Sequence, residues 1–194
     1  MKTVTVETFE FNELTDEAKE VARAWWREGA LDYDWYDFIF EDATTVGKCM
    51  GIDVENILFT GFNSQGDGAC FEGHYSYEKG GLKKLMSYAP EDKELHCIAS
   101  ELQEIQKKFR YQLYASVKQS GRYYHQNCTK INVSYGDDWA PEEADSIISE
   151  LLRDFMRWIY KQLEQEYEYL LSDEHVDETI IINKYEFTEN GKRA

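Results

Sequence analysis

The chain has 194 residues, 42% hydrophobic and 15% aromatic, with a formal net charge of −17 and a pI near 4.6. That apolar content is enough for a buried core, which excludes a disordered chain, and the length fits a single α+β domain over residues 1–194. The acid excess repels phosphate, so it excludes direct binding to nucleic acid or to an anionic membrane and favours a partner with a basic surface.

Residues 3–11 alternate as a strand, with Val4, Val6 and Thr8 on one face and Phe9 and Phe11 following. No signal peptide is read at Met1-Lys2, and no run of residues reaches the apolar length of a membrane span. Cys49, Cys70, Cys97 and Cys128 are widely spaced without a Cys-x-x-Cys pair, so the expectation is a cytoplasmic protein with free thiols. Thr15 is a good N-cap, and Asp16 and Glu17 suit the first turn of a helix that runs to about Glu28 and stops at Gly29.

Residues 31–50 read as a second amphipathic helix with Leu31, Trp35, Phe38, Ile39, Ala43 and Val46 inward. Asp32, Asp34, Asp37, Glu41 and Asp42 then share its outer face. Such a run is ordinarily a solvated face; a metal or acid–base site needs carboxylates converging from other segments as well. It remains the candidate surface for a basic partner.

Ile52–Phe59 is rich in β-formers, and residues 69–76 alternate Ala69, Phe71, Gly73 and Tyr75 with Cys70, Glu72, His74 and Ser76. Between them lies Gly61-Phe62-Asn63-Ser64-Gln65-Gly66-Asp67-Gly68. Gly66 and Gly68 permit a sharp hairpin connection, and Asp67 is placed to accept a nearby backbone N–H. The functional alternative is a ligand loop with Ser64, Gln65, Asp67 and His74. The glycine spacing matches neither a phosphate-binding loop nor a calcium loop.

Beyond Lys79-Gly80-Gly81, residues 82–88 form a short helix ended by Pro90, and residues 91–109 form another with Leu95, Ile98, Leu102, Ile105 and Phe109 in one stripe. Strands follow over residues 111–117 and 129–135, separated by Ser120-Gly121-Arg122 and Tyr123-Tyr124-His125-Gln126-Asn127-Cys128. Pro141 opens the longest helix, to about Leu171, with Ile147, Leu151, Phe155, Trp158, Ile159 and Leu163 inward. A short segment to Ile182 and a strand near Tyr185-Glu186-Phe187 close the chain. Hairpins outnumber βαβ units, so the class is α+β: an antiparallel sheet of about five strands, helices packed on one face, and a long C-terminal helix.

No histidine pair has metal-ligand spacing, and no cofactor fingerprint is present, so the expectation is a non-enzyme with no metal, cofactor or catalytic residues. Spacing alone leaves open a nucleophilic pair of Cys70 or Cys128 with His74 or His125.

Three stretches together resemble a family of small proteins of tailed bacteriophages and prophages, some described as an antitoxin of a toxin–antitoxin stability system. They are Phe11-Asn12-Glu13-Leu14-Thr15-Asp16-Glu17-Ala18-Lys19, the Gly61–Ala69 loop, and Glu166-Tyr167-Glu168-Tyr169-Leu170 through Glu189. The resemblance implies expression in an infected bacterium. Joined to the charge, it gives a phage-encoded inhibitor of a host defence factor, an anti-CRISPR or similar protein, acting as a nucleic-acid mimic through Asp32, Asp34, Asp37, Glu41 and Asp42. The alternatives are an antitoxin that neutralises its toxin by contact, and a small-ligand binder or enzyme with its site at the 61–73 loop.

Overall fold

The computed structural model describes residues 7–194. Val4, Val6 and the rest of the expected first strand before Glu7 lie outside the described residues. The elements run β1 Phe9–Glu10, a 3-10 turn Phe11–Glu13, α1 Asp16–Gly29, α2 Asp37–Met50, β2 Ile52–Phe59, β3 Ala69–Ser76, α3 Gly81–Tyr88 and α4 Lys93–Lys108. They continue as β4 Leu113–Gln119, β5 Thr129–Tyr135, β6 Asp138–Trp139, α5 Glu142–Leu170, α6 Asp173–Ile182 and β7 Glu186–Phe187. The class is α+β, with a five-stranded antiparallel sheet and a long C-terminal helix, as the pattern predicts.

The chain divides into two compact units, one made of residues up to Trp35 with Gln165–Ala194, the other of Tyr36–Glu164. In the first, Thr15 caps α1 by accepting the Ala18 N–H at 3.3 Å. Ala18 and Ala22 bring α1 against Val176 and Ile180 of α6, and Phe11, Leu14 and Phe187 fill the rest of that core. β1 pairs antiparallel with β7. Arg23 joins α1 to α6 through two hydrogen bonds to Asp177, each 2.6 Å. Those bonds hold the guanidinium well above its usual value, against the opposing pull of its own desolvation.

In the second unit the sheet order is β2-β3-β4-β5-β6, every pair antiparallel. Strand alternation sends Phe71, Tyr75, Leu113, Ala115, Val117 and Val133 to a buried side. There Phe71 meets Phe155 of α5 edge to face at 5.8 Å. Ile148, Leu152, Met156 and Ile159 extend the same buried stripe of α5. Asp92 serves two elements: Oδ1 caps α4 at the Leu95 N–H, 2.9 Å, and Oδ2 accepts the Trp158 indole N–H, 2.8 Å.

Gln106 is the one buried residue of α4 whose side chain is polar among the described residues. Its amide donates to the Leu113 carbonyl at 2.7 Å and accepts the Leu113 N–H at 3.2 Å. It thereby satisfies both main-chain groups of the first residue of β4, which have no other place to go in the interior. Arg110 and Tyr111 between them take positive φ, 56° and 62°. That is why β4 starts at Leu113 rather than at Tyr111, where the alternation begins.

The helix expected over residues 31–50 starts only at Asp37. Residues 31–36 turn instead, and the Trp35 N–H donates to the Tyr33 carbonyl at 2.8 Å. Trp35 is buried there with its ring 6.1 Å from that of Tyr167. Tertiary burial of one large ring outweighs the weak helix preference of Asp32, Tyr33 and Asp34. Phe38, expected inward, is 54% exposed, whereas Ile39, Ala43 and Val46 are buried as expected.

Candidate functional site

The five carboxylates expected on one helix face are separated by that early turn. Asp32 and Asp34 precede α2 and belong to the first unit, whereas Asp37, Glu41 and Asp42 are on α2 in the second. Asp37 and Glu41 are exposed, one helical turn apart, and neither has a cation within ion-pair distance among the described residues. Asp37 also stands in the first turn, where the helix dipole stabilises it. Asp42 is half-buried and accepts the Tyr88 hydroxyl at 2.8 Å. That bond holds the Tyr88 hydroxyl above its usual value.

Other carboxylates of the same unit do have cations beside them. Lys84 pairs with Glu78, Lys108 with Glu143, Lys161 with Glu94, and Arg153 and Arg157 with Glu150. Arg157 in turn holds the Glu150 carboxyl below the usual carboxylate value. Lys108 and Lys161 thereby tie α4 to α5, whereas the Glu150 pairs lie within α5.

The glycine loop closes on itself. Asp67 accepts the N–H groups of Asn63 at 3.0 Å and Ser64 at 2.6 Å, and its own N–H donates to the Ser64 carbonyl at 3.1 Å. Phe62 stacks on Tyr160 of α5 at 5.5 Å, and the Tyr160 hydroxyl donates to the Gly61 carbonyl at 3.1 Å. Gly66 has φ +96° and lies under the Tyr123 ring; a Cβ on Gly68 would come within 3.1 Å of the His125 Cα. The glycines therefore let this loop nest against the β4–β5 connection. Ser64 and Gln65 are exposed at its tip. His74 is not with them: it stands seven residues beyond Asp67 on β3, opposite Ser116, and its Nδ1 is 2.9 Å from Glu55 Oε1.

Cys70 is buried, and burial pushes its thiol up to about 12, the wrong direction for a nucleophile. His125 uses Nδ1 to accept the Asn127 N–H at 3.1 Å. Among the described residues no three His, Cys, Asp or Glu side chains gather as a metal ligand set, and no helix is long and apolar enough to cross a membrane.

The sheet's other side carries a groove of about 600 Å³ that sequence reading did not pick out. Its lining is set by register: His74 opposite Ser116 opposite Asn132, and Tyr114 opposite Ser134 opposite Trp139. Tyr114 and Trp139 are large and exposed, 47% and 79%. Asp137 and Asp138 stand at the rim, both exposed.

A family model, a domain of unknown function designated DUF8835, matches residues 35–173. The chain belongs to the DUF8835 family. Comparison with curated proteins and with solved structures gives no match. The DUF8835 stretch takes in α2 with Asp37, Glu41 and Asp42, the glycine loop and the whole five-stranded sheet with its groove. Asp32 and Asp34 fall outside it.

Proposed function

We propose that this chain is an acidic binding protein that occupies the basic, nucleic-acid-binding surface of another protein. The observation that carries the reading is the pair Asp37 and Glu41: exposed, a turn apart, and without a compensating cation among the described residues of a chain of net charge −17. A partner that neutralises such charges gains attraction without first breaking an internal ion pair. The same charge repels phosphate and so favours a protein partner over a nucleic acid. The resemblance of Gly61–Ala69 and its companion stretches to proteins of tailed phages narrows the partner to a host defence factor, which the chain inhibits by standing in for its nucleic acid.

The self-satisfied glycine loop supports binding over chemistry, because Asp67 is committed to Asn63 and Ser64 rather than to a ligand. The test is capture from bacterial lysate at low and at high salt, with the wild type and an Asp37→Lys/Glu41→Lys variant side by side. The expected result is retention of a nucleic-acid-binding protein by the wild type at low salt, lost both at high salt and in the variant. Retention that salt and charge reversal leave unchanged would refute the reading.

A further inference from the structure

The groove on the exposed side of the sheet is built from complementary parts. β4, β5 and β6 are adjacent, so Tyr114 and Trp139 flank Ser134 with one strand between them. At the usual strand spacing their Cα atoms stand about 10 Å apart. At that spacing, side chains rising from Tyr114 and Trp139 on either side of Ser134 leave room for one flat group. No cation lies over either ring among the described residues. The rim carboxylates Asp137 and Asp138 are likewise without an ion pair among the described residues. The floor adds the hydroxyls of Ser116 and Ser134 and the amide of Asn132.

Each part narrows the occupant. Carboxylates at the rim turn away phosphate and carboxylate. Exposed ring faces favour a planar group or a cation, and Trp is the best of the aromatic faces for a cation. Hydroxyl and amide oxygens over a flat floor favour a group with several in-plane donors. A guanidinium has all three properties: it is planar, always charged and carries five N–H donors in a fixed fork. An ammonium shares the charge but not the plane. This chain already seats one guanidinium on aromatic rings, since Arg193 lies 5.8 Å from the Trp25 centroid and 5.2 Å from that of Tyr185.

We infer that the Tyr114–Trp139 slot is a docking site for an arginine side chain of a basic protein partner, the guanidinium stacking between the two rings and hydrogen-bonding Asp137 or Asp138. The inference rests on the basic-partner reading and adds a location and a residue preference to it. Asp37 and Glu41 supply long-range attraction; the slot distinguishes arginine from lysine.

The test uses the full chain and two fluorescent peptides of equal charge, one of alternating glycine and arginine and one of alternating glycine and lysine, with affinity read by anisotropy at low salt. The arginine peptide is expected to bind about tenfold more tightly than the lysine peptide. Trp139→Ala and Tyr114→Ala each bring the arginine peptide down to about the lysine level and weaken lysine binding far less. Trp139 is 79% exposed, so its removal leaves the core intact, which circular dichroism checks. Equal binding of both peptides, untouched by Trp139→Ala, would overturn the slot while leaving the basic-partner reading standing. If neither peptide binds, both fall.

Discussion

Gln106→Ala isolates a single buried amide. The wild-type side chain is fully buried and makes two hydrogen bonds, Nε2 to the Leu113 carbonyl at 2.7 Å and Oε1 from the Leu113 N–H at 3.2 Å. Leu113 is itself fully buried. Alanine therefore leaves a main-chain donor and a main-chain acceptor unpaired in the interior. Each orphaned group costs about 1–3 kcal/mol, so the loss is expected at about 2–6 kcal/mol, a large share of the stability of an ordinary domain. The control is Gln103→Ala, which removes an exposed amide on the same helix and should stay within about 0.5 kcal/mol of wild type. Urea unfolding followed by circular dichroism measures both. Gln106→Glu refines the comparison: a buried carboxyl is pushed upward, so its protonated form, which still donates to Leu113, is the stable one. The variant should be least destabilised in acid and lose stability as pH rises through that raised value. A loss at Gln106→Ala no greater than at Gln103→Ala would refute the claim that this amide secures the start of β4.

Asp67→Ala should cost about 1–2 kcal/mol, and hydrogen exchange should quicken at Asn63 and Ser64, whose N–H groups it bonds; Asp67→Asn, which keeps an acceptor, should recover most of the loss. Gly191→Ala should destabilise the first unit by about 1–3 kcal/mol in a thermal melt, because φ there is +78° and a Cβ would sit 2.0 Å from the Ala18 carbonyl oxygen. Glu150→Gln should lower stability at neutral pH by no more than about 1 kcal/mol, since the pair is largely exposed. Arg157 lowers the Glu150 value in the folded state, so the wild type holds this advantage above the ordinary carboxylate value and loses it as pH falls through the lowered one. Unfolding curves of the two proteins should converge in acid.

Much of the fold is legible because its signals are local. Thr15 before Asp16-Glu17, Pro141 before the long helix, and the period of two across residues 69–76 each correspond to the element that forms there. Asp67 also performs the turn chemistry its type suggests. What local signals miss is the outcome of long-range packing. The apolar spacing of Leu31, Trp35 and Phe38 suits a helix, yet Trp35 is buried in a turn beside Tyr167, and Asp32 and Asp34 leave the helix with it. Gln106 sits one turn beyond Leu102, a position that calls for burial and a residue type that does not; only the distance to Leu113 resolves the conflict. The groove is the clearest case. Its polar alternation, His74 and Ser76, Tyr114 and Ser116, Asn132 and Ser134, is plain in each strand separately. That Tyr114 faces Trp139 across Ser134 follows from strand order, which no single strand encodes.

The central claim is that this acidic chain and a nucleic acid use the same surface of one partner. The most direct measurement is competition: the partner captured from lysate is loaded with labelled nucleic acid and titrated with the wild type and with Asp37→Lys/Glu41→Lys. The account predicts that the wild type displaces the label fully and competitively, with a strength that falls as salt rises, and that the variant displaces little. A stable ternary complex of chain, partner and nucleic acid would contradict it.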